Sequence, residues 1–419
     1  MPPQRTPDTL PDQAGLRALD WLNFFVANLQ TGFGPFIAVY LTTHKWTQGE
    51  IGVALSVGSA VTMLAQVPGG ALVDALKQKR LAATIGLVAV AASALLLATW
   101  PDRLPVMLAQ GLHGFASCVL VPAIAAITLN RVGRQAFAER LGRNARFAAI
   151  GSAAGAAIMG GIGSYVSSRA VFWFAAALSL PALAAVRAMP PRDPPADPDL
   201  AAASGPAAPA REPVWHVLLD RRLLAFTLCI VCFQLANAAM LPVAAAEVTR
   251  QAGDAANLTI AACLVVPQMV VALLSPSIGR WAEKRGRRPI LLLGFVVLPV
   301  RGLLLATLAS PALIVATQVL DGVGGAVIGV LLPLIAADLT RGTGRFNLCM
   351  GGIGLGVGVG ATLSTAMAGD LAGRFGNSIA FLALAVAGMI GVLLVALAMP
   401  ETRPAGAPVR PPTPPSPGG

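Results

Sequence analysis

The chain has 419 residues, 56% of them hydrophobic and 12% charged, with a mean hydropathy of +0.72. That balance excludes an ordinary soluble globular domain and makes lipid the expected solvent. A formal net charge of +11 would suggest nucleic acid in a soluble protein, but basic loops of a membrane protein account for it and no nucleic-acid partner is implied.

Residues 1 to 16 are polar and contain Pro, so they read as a cytoplasmic segment ahead of the first helix rather than as a cleaved secretory signal. Apolar runs then define six spans near residues 17 to 42, 50 to 73, 82 to 100, 104 to 130, 145 to 166 and 170 to 188. Residues 189 to 221 contain MPPRDPPADPDLAAASGPAAPAREP, too poor in large apolar groups to pack a core, and read as a cytoplasmic linker. Six further spans follow near 223 to 246, 256 to 280, 289 to 309, 311 to 339, 346 to 369 and 378 to 399. Residues 400 to 419 end in PPTPPSPGG and read as a disordered cytoplasmic tail. The runs lack the alternation of barrel strands, so helices must satisfy the backbone in lipid. The expected class is an all-α membrane protein of twelve transmembrane helices, with six-helix bundles over 17 to 188 and 222 to 399.

The basic residues orient it. Of the 30 Lys and Arg, 24 fall in the termini and the even-numbered loops, five in the odd-numbered loops, and one, Arg301, inside a span. This bias places both termini in the cytoplasm of a cell whose plasma membrane, a bacterial inner membrane, the chain crosses many times. Trp46 and Trp100 near outer ends, and Trp21 and Trp281 near inner ends, suit an interfacial aromatic belt. The five cysteines, Cys118, Cys229, Cys232, Cys263 and Cys349, lie inside apolar runs and read as small buried hydrophobes, with no disulfide framework, metal site or cofactor implied.

The second half repeats the first. Gln30 and Pro35 meet Asn237 and Pro242 at an offset of 207, Pro68 meets Pro276 at 208, Gly70 and Asp74 meet Gly279 and Glu283 at 209, and Gln110 and Gly114 meet Gln318 and Gly322 at 208. Such agreement among rarer residues implies parallel six-helix repeats about a pseudo-two-fold axis along the membrane normal, with a binding cavity between them.

At GRWAEKRGRRP, residues Gly279 to Pro289, the chain resembles the major facilitator superfamily, whose signature loop lies between spans eight and nine. The resemblance extends over essentially the whole chain. The first-half counterpart, GGALVDALKQKR, keeps Gly70, Asp74, Lys79 and Arg80 but has Lys77 where the family usually has Gly. The resemblance implies that these loops, with Glu283, Lys284, Arg285, Gly286, Arg287 and Arg288, help lock the cytoplasmic side in one state of alternating access. It also implies that spans one, four, seven and ten line the cavity, while two, five, eight and eleven form the interface between halves.

Polar residues on the lining spans are then candidate solute contacts: Asn23, Asn28 and Gln30, Gln110, Gln234 and Asn237, and Gln318. Three ionisable residues lie within spans, where a charge costs about 2.5 to 3.5 kcal/mol even on the lenient insertion scale. They are His113, Arg301 and Asp321, of which His113 and Asp321 are repeat equivalents. Arg301 and Asp321 share a depth across the hairpin of spans nine and ten, so they either form a permanent ion pair or mark a proton-coupling site with His113 as a second titratable group. The glycines of span five (Gly151, Gly155, Gly160, Gly161, Gly163) and of span eleven (Gly351, Gly352, Gly354, Gly356, Gly358, Gly360) read as close-packing surfaces.

No GxxxxGK[ST] or HExxH is present, and no enzyme is indicated. The expectation is a secondary transporter, functional as a monomer, that moves a small organic solute outward in exchange for H+. The alternatives are a proton-coupled importer and a membrane sensor or assembly partner that no longer transports. The family's exporter signature surrounds a Gly-Pro in span five; here Gly155 is followed by Ala156, so support for export from that position is weak.

Overall fold

The computed structural model describes residues 13–33, 35–190, 214–245, 256–307 and 310–403. Among them, twelve helices are long and apolar enough to cross a membrane. The first six are Gln13–Thr43, Gly49–Ala75, Lys79–Thr99, Arg103–Val132, Phe137–Tyr165 and Ser168–Ala188. The second six are Arg221–Ala245, Ala261–Arg285, Arg287–Thr307, Pro311–Leu339, Phe346–Phe375 and Asn377–Ala398. The polar N-terminal residues to 12, most of the linker, and the tail from 404 lie outside the described residues, and the linker contributes a short helix, Val214–Leu218.

Span five begins at Phe137, well before the expected 145. Hydropathy marks only the apolar part of a span, whereas the helix itself runs through Arg140, Arg143 and Arg146. Spans one and seven each break near their outer third. Span one is helical over Gln13–Thr31 and again over Pro35–Thr43, and span seven turns after Asn237 before resuming at residue 240. Proline at 35 and 242 removes an N–H from the ladder at the repeat-equivalent place in each half.

The repeat is visible in which helices touch. In the first half span one packs on five and six, and span three on four and six, while two packs on four. In the second half seven packs on eleven and twelve, nine on ten and twelve, and eight on ten, which is the same set shifted by six. Between halves the main contacts are two with eleven and five with eight, again mutual equivalents. The fold is thus two six-helix halves related by a pseudo-two-fold axis.

Lipid offers no hydrophobic drive between helices, so close approach of small residues carries the association. At the end bearing spans' loops 2–3, 8–9 and 10–11, here called the basic face, the halves meet backbone to backbone. A Cβ at Gly70 would lie 2.1 Å from the Asn347 carbonyl oxygen, at Gly351 2.3 Å from that of Gln66, at Gly142 2.4 Å from that of Ser275, and at Gly279 2.3 Å from that of Ala138. The apolar core of the second half includes Leu129, Phe137, Ala138 and Leu141 of the first, so at this face the two bundles share one core. Toward the opposite face the contact ends: a Cβ at Gly49, Gly52, Gly160, Gly161, Gly369 or Gly373 would meet nothing within 4 Å. The halves are closed at the basic face and splayed at the other. The expectation for the glycine stripes therefore holds for Gly151 and Gly155 against span one and for Gly351, Gly354 and Gly358 against span two, but not for Gly160 and Gly161 in this state.

Candidate functional site

At mid-depth in the second half, Arg301 of span nine is 1% exposed and donates through Nη1 to Asp321 Oδ1 (2.7 Å) and Asn237 Oδ1 (2.8 Å), and through Nη2 to Gln318 Oε1 (2.8 Å). Three of the sequence candidates thus converge on one guanidinium from spans seven and ten. Arg suits the place, because its planar fork serves several acceptors at once. The Asp321 side chain, by contrast, is 23% exposed. Gln318 is anchored in turn by donation to Ile314 O.

The first half has no arginine at the equivalent place. The repeat partner of Arg301 at an offset of 208 is Ser93, which is buried and donates to Ala109 O. Gln30, Gln110 and His113 stand where Asn237, Gln318 and Asp321 stand. His113 stacks flat on Phe33, with ring centroids 4.1 Å apart and planes 8° apart. Its Nε2 and Gln30 Nε2 are buried without a hydrogen-bond partner among the described residues.

The other polar candidates scatter. Asn28 is buried against Gly155 of span five, and Gln110 against Gly58 of span two, so both sit between helices of their own half. Asn23 donates to Leu19 O within its own helix. Gln234 is half-buried beside Gly360 of span eleven.

At the basic face Asp74 crosses between halves. Its Oδ1 accepts from Asn347 N (3.1 Å) and Nδ2 (2.7 Å), and its Oδ2 from Leu348 N (2.8 Å). Span eleven starts at Phe346, so a carboxylate from span two caps the amino end of span eleven, where unpaired N–H groups and the helix dipole favour an anion. Gly70, one turn earlier, lets the two backbones come near enough for this.

Gly279 likewise meets the other half, at Ala138. Lys79 Nζ donates to Val73 O, Asp74 O and Leu76 O, closing the end of span two, while Arg80 reaches Arg187 O and Lys77 is exposed. Glu283, the repeat partner of Asp74, does not reach across; it pairs with Arg287 at 3.3 Å. Arg287 is buried and also holds Asp338 (3.1 Å), and Arg288 bonds Ala396 O. Lys284 and Arg285 are exposed.

Gly286 has φ of +96°, and the chain turns there against Glu401, whose carboxylate accepts from the backbone N–H of Arg287 (2.8 Å), Arg288 (3.2 Å) and Arg403 (2.9 Å). Burial alone would raise the Glu401 carboxyl, but these donors hold it below the usual carboxylate range. In the first half no such turn is made, and Lys77 needs no positive φ. That accounts for the missing glycine.

Asp20, at the inner end of span one, where snorkelling or pairing with a loop arginine is expected, is buried and holds Arg140 (2.6 Å) and Arg143 (2.7 Å) of span five. Sequence reasoning missed other partners. Two further bonds cross between halves, Arg134 Nη1 to Ala337 O (2.6 Å) and Arg146 Nε to Ala272 O (3.0 Å). Backbone acceptors such as these leave no mark in a sequence.

A family model described as Major Facilitator Superfamily matches residues 19–253 and 226–417. An uncharacterized MFS-type transporter of Mycobacterium tuberculosis, found in strains CDC 1551 / Oshkosh and ATCC 25618 / H37Rv, is 37% identical over 391 residues, covering 92% of this chain and 93% of the relative. Among solved structures, the human organic anion transporter MFSD10 (TETRAN) superposes with a TM-score of 0.72 at 16% identity, covering 92% of this chain and all of that one.

Proposed function

The chain belongs to the major facilitator superfamily and is a secondary transporter, and on that premise we propose that it moves a small organic solute outward in exchange for protons moved inward. The observation that carries the proposal is the contrast between a fully buried Arg301 and a partly exposed Asp321 bonded to it. A group that loads and unloads a proton must meet water in at least one state, and Asp321 is the exposed member of the pair. When Asp321 is protonated, Arg301 still has the carbonyl oxygens of Asn237 and Gln318 to hold it. This lowers the cost of leaving the cation buried, and makes the pair breakable.

In this reading His113, Gln30 and Gln234 are the solute-facing polar groups. Asp74 is the lock of the basic face, with Gly70 and Gly279 as its packing surfaces. The lysine and arginine bias supports a cytoplasmic basic face and a bacterial inner membrane, and a cavity between the halves of one chain makes a monomer sufficient.

The test is transport in liposomes under an imposed pH gradient, across a panel of organic solutes, with wild type and Asp321→Asn. Asp321→Asn should abolish proton-driven movement while solute exchange without a gradient persists; proton-driven transport at the wild-type rate would refute the coupling role. Direction follows from vesicles of known sidedness: accumulation in inside-out vesicles acidified within supports export, and accumulation only in right-side-out vesicles would establish import.

A further inference from the structure

On the lateral side where span five meets span eight, a cavity of about 540 Å³ opens at the basic face, within the range of small-molecule pockets, about 300 to 1,000 Å³. Arg140, Arg143, Arg146 and Arg280 line it, against one carboxylate, Glu139. Asp20 holds two of the four, which still leaves an excess of positive charge. Arg146 bonds Ala272 O of span eight through Nε, and Arg280 bonds Ser277 Oγ of its own turn through Nη2; both are exposed and line the cavity.

The repeat shows that the interface does not need this charge. At the offset of 209 set by the equivalent contacts of Gly70 with Asn347 and Gly279 with Ala138, Arg140, Arg143 and Arg146 correspond to Cys349, Gly352 and Leu355, and Arg280 to Ala71. At that equivalent seam, spans two and eleven close by glycine packing and the Asp74 cap. The arginine cavity therefore belongs to one side of the molecule alone.

The mouth is amphipathic. Ile150 lines it and is exposed, and along span eight Pro276, Leu273 and Met269 follow one another at helical spacing, with Leu273 and Met269 exposed. An occupant with an anionic head and apolar chains would place the first among the guanidinium groups and lay the second along this stripe. We propose that the cavity binds the phosphate headgroup of an anionic phospholipid, with Arg146 and Arg280 as its principal contacts. Because the walls come from both halves, the bound lipid bridges them and favours the closed basic face. The inference does not depend on the transported solute or on the direction of transport.

Native mass spectrometry of the full chain in an uncharged detergent, with short-chain phosphatidylglycerol as the probe, tests it. Phosphatidylcholine of the same chain length and inorganic phosphate serve as competitors. Phosphatidylglycerol should be retained over phosphatidylcholine, and the Arg146→Gln/Arg280→Gln variant should bind it about thirtyfold more weakly, about fivefold for each basic group removed. Unchanged affinity in that variant would overturn the site, and displacement by equimolar inorganic phosphate would assign it to a free anion instead. If the double variant does not fold, Arg280→Gln alone decides, with about fivefold weaker binding expected and no change overturning the proposal.

Discussion

Replacing Asp74 by Asn should loosen the closed basic face by an amount that the geometry bounds. The carboxylate takes three N–H bonds on two oxygens; an amide has one acceptor oxygen, so at least one bond is lost and the others become neutral. Charge-assisted bonds contribute about 1.5–3 kcal/mol each against about 0.5–1.5 for neutral ones, and an anion at a helix amino end adds up to about 2 kcal/mol when partly buried. Closing also strips water from the carboxylate, a cost the amide largely avoids. The net weakening is about 2 kcal/mol, or roughly thirtyfold in the closed-to-open equilibrium.

A cysteine replacing Ala138 reports that equilibrium. Ala138 has no exposed surface and packs in the core that the two halves share at this face, so alkylation requires opening, and when reclosing is fast its rate is proportional to the opening constant. Asp74→Asn in the Ala138→Cys background should be alkylated roughly thirtyfold faster, normalised to a cysteine at exposed Gln135. A rate within threefold of the parent would refute the reasoning, because it would mean that the bonds to Asn347 and Leu348 persist in the open state or contribute nothing.

Two other perturbations read the remaining devices. Arg301→Gln leaves Asp321 without its cation and removes a side chain with three acceptors; breaking such a buried pair costs about 3–5 kcal/mol. The variant should show a clearly lower melting midpoint in detergent, with Asp321→Asn falling less because Arg301 keeps two acceptors; equal midpoints for Arg301→Gln and wild type would contradict the assignment. Glu401→Gln tests the cap on span nine. The Glu401 carboxyl is held below its ordinary range, so its contribution is present above the unfolded carboxylate pKa and is lost as pH falls through the lower folded value. The midpoint gap between wild type and Glu401→Gln should therefore be widest near neutral pH and shrink in acid, and a gap that widens in acid would refute the cap.

The twelve spans and the duplicated halves were legible because both are written in side-chain chemistry: apolar runs of membrane length, and rare polar residues at a constant offset. The Arg301–Asp321 contact was legible for the same reason, since two charges at equal depth on a hairpin have few other partners. The helix ends were less so, as at Phe137, where the helix continues through arginines that hydropathy assigns to a loop. What Asp74 touches was not legible at all. Its partners are two backbone N–H groups and one amide nearly three hundred residues away, and only the folded seam brings the start of span eleven to it. The same limit hid Glu401, whose three partners are backbone N–H groups.

The duplication has been broken in a directed way. Both halves keep the glycines that allow backbone contact across the seam, but only the first keeps an acid that caps a helix of the other half; Glu283, one methylene longer and partly exposed, is occupied by Arg287. A transporter must leave its closed state on every cycle, and each buried carboxylate cap contributes on the order of 2 kcal/mol to that state. Two equivalent caps would multiply their separate effects on the equilibrium, roughly thirtyfold each, to nearly a thousandfold. One cap at the seam of spans two and eleven, opposite an arginine-lined seam of spans five and eight that has none, keeps the lock within reach of the interaction energies that a solute or a proton can supply.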